Sequence, residues 1–409
     1  MKRLILLFFC PFILLGQQKE HKINWESNFI FESNGLNKSF LNMIIYGGDV
    51  TENEKYTWIE SGSGNNIIHS EISNELNYTY YLDHHSLGFN FKDVNILNSS
   101  FPDDFLRIAL EGNFHHQDET LNFSNTNIRV DRFQQYRITY GNTINNLKIN
   151  TGISYLAGNY HISYVVDRGS LYTAPYGSYL DLEYDMNGFI TDTSNFSAFR
   201  NNGNGVAFDI STDLKIKEYS IHLSLENLGF ILWKESSISL DTDSSFNIQG
   251  IEIENIFDLN DSLLNSNNIE DNIIRTTNSN FKSYIPATVK MSLSRDAGNK
   301  YLTKYSTGFI AKWQPYRDNT PLSFNKIYQG FNESNFSPLY YILSIFDLKY
   351  LDATAKLSYG GYTENMNIGL ILSRGRSNKF AFGTNNLLDI FRGEEAKTAT
   401  FLFNLQIQF

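Results

Sequence analysis

Short segments in which apolar and polar residues alternate recur along most of this chain of 409 residues. The clearest inner ones are residues 147–155, 208–216, 219–226, 285–294 and 351–359. A period of two places the apolar side chains on one face of a β-strand and the polar side chains on the other. Repeats of about ten residues with this pattern are the signature of a transmembrane β-barrel, in which one face meets lipid and the other lines the lumen.

The last ten residues carry the same alternation in its clearest form. The apolar positions are Phe401, Phe403, Leu405, Ile407 and Phe409. Polar residues separate them, with Leu402 as the exception. This ridge resembles the C-terminal signal by which the barrel-assembly machinery recognises outer-membrane barrels. The alternative is an edge strand of a soluble β-sandwich, but such an edge would be aromatic, uncharged and open to aggregation.

The first residues predict export. Lys2 and Arg3 precede the apolar stretch Leu4–Leu15, and Gly16 is a small residue suited to the position before a cleavage site. This arrangement is typical of a secretory signal peptide of residues 1–16, and it is too short for a membrane-spanning helix. The alternative is a buried N-terminal strand or helix. Cys10 is the only cysteine, so the mature chain would have no thiol for disulfides, catalysis or metal binding.

The links between predicted strands alternate between short and long. Outer-membrane barrels have this arrangement, because their short turns are periplasmic and their long loops are extracellular. Counting back from Phe409 with both termini in the periplasm gives about fourteen strands, an even number. The predicted fold is therefore all-β, one transmembrane antiparallel β-barrel over residues 17–409. The short links lie near residues 83–85, 143–146, 217–218, 296–300, 349–350 and 376–378, and the long links include 159–204, 234–282 and 315–337.

Three segments do not fit the strand pattern. Phe105–Leu110 follows a proline and two aspartates, which predicts one or two helical turns. Asp258–Ile274 is consistent with another short helix within the longest loop. Gln17–Glu32 contains aromatic residues without a stable period, so this segment could instead fold into the lumen as an N-terminal plug.

Composition argues against two classes of protein. The formal net charge of −11 disfavours nucleic acid as a partner, because phosphate binding needs a basic surface. The mean hydropathy of −0.32 disfavours a helical multi-span membrane protein. Aromatic residues make up 15% of the chain, which suits strands and the aromatic girdles of membrane barrels.

The histidine pairs do not predict a metal site. His84 and His85 are adjacent, as are His115 and His116. Neighbouring residues on a strand point to opposite faces, so such a pair is a poor chelator. The acidic residues between positions 241 and 271 lack the ligand spacing of a helix–loop–helix calcium site. We therefore expect no metal and no cofactor.

Two groups of residues could form a nucleophile and its base. His161 shares a face with Ser163, and His222 shares a face with Ser224 and Glu226. Histidine beside serine is the arrangement of nucleophilic catalysis. Polar lining of the lumen explains the same residues without catalysis, and nothing indicates an oxyanion hole. The sequence therefore predicts no catalytic residues.

The stretch NGNGVAFDISTDLKIKEYSIHLSLENLGFILWKE, residues 202–235, resembles an uncharacterised family of Bacteroidetes outer-membrane barrels, described only as a domain of unknown function. Phe101–Leu110 and Leu147–Asn159 resemble further blocks of that family. The resemblance implies a barrel of the fatty-acid-transporter type in the cell outer membrane of a Gram-negative bacterium, and it implies no functional residues. The matching positions are Gly203, Gly205, Asp209, Leu228, Gly229, Phe230, Ile231 and Trp233.

Three functions remain open. The first is a transporter or channel for a small molecule, with hydrophobic molecules among the candidates. The second is a structural or partner-binding barrel attached to a secretion or surface-assembly system. The third, a membrane-embedded enzyme, lacks a recognisable catalytic set. The expected partners are outer-membrane lipid and the barrel-assembly machinery, together with a surface or secretion partner in the second case.

Overall fold

The computed structural model describes residues 19–47, 49–191, 200–234, 236–249, 275–299, 301–315, 317–319, 324–375 and 377–409. The predicted signal peptide and the helix expected over Asp258–Ile274 lie outside these residues.

Most of the described chain is β-strand. In chain order the strands are β1 (Lys19–Ser33), β2 (Asn65–Leu82), β3 (His85–Pro102), β4 (Thr120–Asn122), β5 (Thr126–Ile144), β6 (Leu147–Thr173), β7 (Tyr179–Ile190), β8 (Gly203–Ile216), β9 (Tyr219–Trp233), β10 (Ile238–Gln249), β11 (Arg275–Asn278), β12 (Phe281–Tyr284), β13 (Ala287–Asp296), β14 (Leu302–Trp313), β15 (Ser337–Asp347), β16 (Asp352–Gly361), β17 (Asn365–Arg374), β18 (Lys379–Thr384) and β19 (Thr398–Gln408).

Fourteen strands close into an antiparallel barrel, which confirms the predicted fold and strand number. Their order around the ring is β1, β2, β3, β5, β6, β8, β9, β12 with β13, and β14 to β19, after which β19 pairs with β1. β12 and β13 count as one strand because both pair with β9. The interruption between them contains Pro286, whose nitrogen has no hydrogen to donate to the ladder.

The segment considered as a plug is a strand of the barrel wall. Trp25 lies opposite Leu405 on β19 and opposite Leu76 on β2, so Lys19–Ser33 closes the ring. The expectation of an N-terminal plug is therefore wrong for these residues. In lipid every backbone N–H and C=O group needs a hydrogen-bond partner within the protein. This strand supplies those partners to the edges of β2 and β19, which would otherwise be unpaired. Ser27 interrupts an otherwise regular apolar series, which obscured the period in the sequence.

The short turns all lie at one end of the barrel, here called the turn end. They join β2 to β3, β5 to β6, β8 to β9, β13 to β14, β15 to β16 and β17 to β18, at the predicted positions. Lys19 lies at this end because it pairs with Leu82, the last residue before the first short turn. Phe409 lies there too, because it exchanges backbone hydrogen bonds with His21. The opposite end, here called the loop end, carries the long connections.

One predicted long loop is largely strand. β6 continues past the barrel to Thr173, β7 returns beside it, and β10 pairs with β7. These strands form a sheet that extends the wall at the loop end. The predicted link over residues 159–204 does join the neighbouring barrel strands β6 and β8 at the loop end, but most of it is strand. On β7, Leu180, Leu182 and Tyr184 alternate with Asp181, Glu183 and Asp185, so the two-face pattern continues into this extension.

The helices lie in loop-end connections. They are α1 (Lys38–Tyr46), α2 (Glu52–Glu60), α3 (Asp103–Glu111), α4 (Phe324–Asn332) and α5 (Leu387–Phe391). α3 confirms the helix predicted over Phe105–Leu110. Trp58 of α2 packs edge-on against Phe40 of α1 and donates a hydrogen bond to Ser39 at 2.8 Å, which holds the two helices together. No helix in the described residues is long and apolar enough to cross a membrane.

The two faces of the wall differ as the alternation predicts. On β9, Leu223 points outward and is 45% exposed, whereas Ser224 points inward and is 6% exposed. Exposed apolar side chains elsewhere on the outer face include Ile138, Ile153 and Ile342. The outer face is therefore suited to lipid, and the polar positions line the lumen.

Candidate functional site

The loop end of the lumen is filled by an apolar cluster built around Trp233. The indole is buried and donates a hydrogen bond to Ser283 Oγ at 2.8 Å. A Cβ added at Gly158 would lie 2.7 Å from the indole, and one added at Gly203 would lie 2.8 Å from it. These glycines therefore make room for the large side chain. The other members of the cluster are Val94, Ile96, Phe133, Leu156, Phe189, Ala207, Ile231, Phe281 and Ile285.

The rest of the family-like block also has a structural explanation. A Cβ on Gly205 would lie 2.1 Å from the carbonyl oxygen of Phe230, and one on Gly229 would lie 2.4 Å from that of Val206. β8 and β9 therefore approach each other closely at these glycines. The described residues of the block therefore shape the wall of the barrel.

Asp209 stabilises an irregularity in the same pair of strands. Its carboxylate accepts a hydrogen bond from the backbone N–H of Asn227 at 2.8 Å, where the register of β8 and β9 shifts. Asn227 has a φ of 59°. Arg137 of β5 reaches Asp209 at 3.0 Å and donates to the Asn227 side chain at 2.7 Å. The aspartate of the family-like block thus fixes a bulge of the lumen wall.

The connection between β14 and β15 is here called the crossing loop, and its described residues, 314–315, 317–319 and 324–336, bridge the mouth of the barrel. Near its start, Asp318 contacts β6; near its end, Asn335 donates hydrogen bonds to Asn98 of β3 and Asn127 of β5. β3 and β15 are seven places apart in the ring of fourteen strands. The crossing loop therefore joins opposite sides of the wall at the loop end.

A buried charged cluster, here called the latch, holds the start of the crossing loop. His161 Nδ1 faces Asp131 Oδ1 at 2.7 Å, and His161 Nε2 faces Asp318 Oδ2 at 2.8 Å. Arg129 contacts Asp131 at 2.9 Å and Asp318 at 3.5 Å. Because both ring nitrogens meet carboxylates, we assign both as N–H donors, which makes the ring an imidazolium. Two cations then balance two anions, as burial requires.

The arginine of the latch also binds backbone. Arg129 donates to the carbonyl oxygens of Tyr284 at 2.9 Å and Pro315 at 3.0 Å. These contacts tie the crossing loop to the break between β12 and β13. Arg129 and Asp131 are two positions apart on β5 and so share a face. This spacing was the one feature of the sequence that could have indicated the latch, because their partner Asp318 lies in a loop without a periodic pattern.

The structure does not assemble the two nucleophile–base groups. Ser163 donates its hydroxyl hydrogen to Asp318 at 2.5 Å, and Ser224 donates to Glu226 at 3.1 Å. His222 Nδ1 lies 2.7 Å from Asp213. Within the described part of the chain, the hydroxyl of Ser163 is therefore not hydrogen-bonded to His161, and that of Ser224 is not hydrogen-bonded to His222.

The paired histidines have ordinary partners. His85 hydrogen-bonds the hydroxyl of Tyr140 at 2.8 Å, and His116 Nε2 lies 2.8 Å from Glu111. His115 and His116 belong to a single helical turn. Among the residues that the structure describes, no group of three or more His, Cys, Asp or Glu side chains is arranged to hold a metal ion.

A cavity of about 280 Å³ lies in the lumen between the crossing loop and the apolar cluster. Phe336 of the crossing loop borders it, and so do Val94, Phe133 and Ile285 of the cluster. Its volume is near the lower limit of small-molecule pockets, which is about 300 Å³. Four lysines and three glutamates line it, namely Lys92, Lys290, Lys312, Lys356, Glu32, Glu71 and Glu226.

Two of the four lysines contact carboxylates. Lys92 lies 3.9 Å from Glu71, and Lys290 lies 2.7 Å from Glu226. Lys312 instead lies 3.3 Å from the hydroxyl of Tyr362 and over that ring. Within the described residues, neither Lys312 nor Lys356 has a carboxylate oxygen within 4.0 Å. The cavity therefore contains positive charge that the protein does not neutralise at close range.

The C-terminal ridge lies on the outer face of β19. Phe401, Ile407 and Phe409 are exposed, and Phe403 packs edge-on against Trp25 across the closing pair of strands. The ring of Phe409 stacks on His21 with the centroids 5.4 Å apart. The ridge is thus in the position that an assembly signal needs, while the signal itself remains a prediction.

The fold is the closed antiparallel barrel of outer-membrane proteins. Residues 26–385 match the family of unknown function DUF5723, and the chain belongs to this family. This confirms the family-level resemblance seen in the sequence, while an origin in Bacteroidetes remains a prediction. No curated protein matches the sequence of the chain.

Several solved structures are similar to this chain. The toluene transporter TbuX of Ralstonia pickettii is 8% identical with a TM-score of 0.44, over 96% of this chain and 89% of that one. A FadL homologue of Pseudomonas aeruginosa is 8% identical with a TM-score of 0.40, over 96% and 89%. The translocator domain of the autotransporter NalP of Neisseria meningitidis is 7% identical with a TM-score of 0.33, over 97% and 90%.

Proposed function

We propose that this protein is an outer-membrane barrel that carries a small solute through its lumen, with the turn end in the periplasm and the crossing loop as the gate at the outer mouth. The observation that carries the proposal is the charged cavity. A barrel that served only as a scaffold would gain nothing from half-buried lysines that have no carboxylate within ion-pair distance, because withdrawing an unpaired charge from water costs free energy. A solute site accounts for them.

The lining favours a polar solute. Four lysines, three glutamates, His69 and the amide of Gln135 line the cavity, while apolar residues border it mainly towards the loop end. Water and polar solutes are stabilised by such groups, whereas a hydrocarbon would strip them of hydration. The hydrophobic solute considered from the sequence is therefore the less favoured choice.

The latch makes the gate testable. Asp318→Asn removes one of the two carboxylates that face His161, and it leaves the barrel strands unchanged. We expect faster release of a small entrapped sugar from proteoliposomes that contain this variant than from wild-type proteoliposomes. Asp296→Asn is the matched control, because Asp296 is exposed at the turn end. Release that is absent from both wild-type and Asp318→Asn proteoliposomes would contradict transport through this lumen.

A partner-binding barrel is the second candidate, and one observation favours it. The sheet of β6, β7 and β10 extends the wall beyond the barrel, and the exposed Tyr176 (92%) lies beside it between β6 and β7. Such an extension offers surface to another protein at the loop end. Gentle detergent extraction of the native membrane followed by size measurement tests this candidate. A stable, stoichiometric partner together with impermeable Asp318→Asn proteoliposomes would favour it over transport.

A further inference from the structure

Lys312 and His69 meet at one wall of the lumenal cavity, against the same aromatic ring. His69 of β2 stacks face to face on Tyr362 with the ring centroids 3.7 Å apart. Lys312 of β14 lies over that ring at 4.8 Å and within 3.3 Å of its hydroxyl oxygen. Tyr362 thus places a cationic ammonium beside an imidazole, although the two residues come from distant parts of the ring of strands.

Among the residues that the structure describes, none forms a hydrogen bond with either ring nitrogen of His69. The residue is 1% exposed and lines the cavity. A carboxylate oxygen of Glu71 lies 4.0 Å from Nε2, which is beyond hydrogen-bond distance. Leaving a buried polar group unpaired costs about 1–3 kcal/mol. A buried imidazole aimed into a cavity therefore indicates a partner that occupies the cavity.

Lys356 adds a second ammonium to the same cavity. It lies over the ring of Tyr341 at 5.7 Å. No carboxylate of the described residues lies within ion-pair distance of it or of Lys312, whereas Lys92 and Lys290 are paired. Of the three glutamates in the lining, only Glu32 has no close ion pair in the described chain. Two unpaired lysines therefore face one unpaired glutamate, and the cavity has an excess of positive charge.

We infer that the lumenal cavity binds the oxyanion group, carboxylate or phosphate, of a small organic solute through Lys312, Lys356 and His69. Two ammonium groups supply charge-assisted donors, and the imidazole supplies a further N–H donor to the same group. A bare inorganic ion would fill only a small part of a cavity of about 280 Å³. This inference rests on the proposed function, because the bound solute would be the one that crosses the membrane.

The test is calorimetric titration of the purified barrel in detergent, which requires binding but no transport. Hexanoate and inorganic phosphate are the two oxyanion probes, and hexanamide is the uncharged match for hexanoate. The buffer contains chloride, which would compete with both probes. A site that binds all small anions equally would therefore show little binding of either probe. We expect hexanoate, phosphate or both to bind, and hexanamide not to bind. Binding of hexanoate alone indicates a carboxylate site, and binding of phosphate alone indicates a phosphate site.

Three variants assign the binding to these residues. Lys312→Met and Lys356→Met each remove one ammonium, and we expect binding to weaken by about 10-fold or more, as for one charged hydrogen bond. His69→Phe retains the stacking on Tyr362 and removes both ring nitrogens. Lys304→Met is the matched control, because Lys304 lies on the same face of β14 towards the turn end and does not line the cavity. Its affinity should equal that of the wild type.

Other results overturn the inference. Hexanamide that binds as tightly as hexanoate would exclude recognition of an oxyanion. Unchanged affinity in both lysine variants, with unfolding midpoints equal to that of the wild type, would place any bound anion elsewhere. Absence of binding together with sugar release from proteoliposomes would refute the oxyanion site and leave transport intact. Oxyanion binding that depends on the lysines, without release of sugar from proteoliposomes, would refute transport and leave the oxyanion site intact.

Discussion

His161 and Asp318 are 157 positions apart in the chain, and a hydrogen bond of 2.8 Å joins them inside the barrel. His161 belongs to the strand β6, and Asp318 belongs to the crossing loop between β14 and β15. With Arg129 and Asp131 they form a buried cluster of two cations and two anions. This cluster attaches the crossing loop to the strands β5 and β6. The mouth of the barrel is therefore spanned by the crossing loop, whereas the segment expected as a plug, Lys19–Ser33, is a strand of the wall.

Loss of the imidazole should release the crossing loop. His161→Phe leaves two carboxylates with one arginine in a buried site, and breaking a buried ion pair costs about 3–5 kcal/mol. We expect a lower midpoint of unfolding in urea and faster cleavage by trypsin after Arg317. His222→Phe is the control, because the His222–Asp213 pair is partly exposed and such pairs contribute about 1 kcal/mol or less. Equal effects of the two substitutions would contradict a structural role of the latch.

The two faces of β9 should tolerate charge differently. Leu223→Arg places a cation among lipid tails and should destabilise the barrel by about 2–4 kcal/mol if the site is near mid-bilayer. Ser224→Arg points into the polar lumen and should cost much less. Unfolding in urea from lipid vesicles measures both. Similar losses for the two neighbours would contradict the register of the strand.

Gly158 and Trp233 should be energetically coupled. A Cβ at Gly158 would lie 2.7 Å from two carbon atoms of the indole, so Gly158→Ala should cost about 1–3 kcal/mol. Trp233→Leu removes the indole and should relieve part of that cost. A double-mutant cycle on unfolding free energies measures the coupling. Strictly additive effects would show that the glycine does not serve to accommodate Trp233.

Deletion of Phe409 should impair assembly more than stability. The side chain is mostly exposed to the lipid side, and full burial of such a group is worth about 1.5–3 kcal/mol at most. We expect a low yield in the outer membrane with a nearly normal unfolding temperature of the barrels that form. Phe382→Ala, which removes another exposed outward phenylalanine, is the control and should assemble normally. A normal yield of the deletion variant would refute the role as assembly signal.

The mature protein should fractionate with the outer membrane. The alternating strands expose isoleucine and phenylalanine side chains on the outer face, and these require lipid or detergent. Sucrose-gradient separation of membranes, with an antibody against the loop end, measures the location. Recovery as a soluble monomer from the periplasm without detergent would contradict this prediction.

The wall of the barrel was predictable from the sequence because its rules are local. Alternation along Tyr219–Glu226 determines which residues face lipid, and this needs only the geometry of a single strand. The short turns follow from small interruptions of that alternation, and the helix α3 follows from Pro102 and the aspartates after it. The prediction missed β1, where Ser27 interrupts the local pattern, and it missed β7, where the pattern is regular but lies within a long link.

The lumen was decided by tertiary structure alone. Whether Lys312 meets a carboxylate or the ring of Tyr362 depends on the stagger of strands around the closed ring, which no single strand encodes. The same holds for Asp318, which lies in a loop without a periodic pattern and acquires its role from side chains on β5 and β6. Local periodicity specifies which side of the wall a residue faces; its partners across the lumen are set by how fourteen strands close, because only closure brings distant residues together.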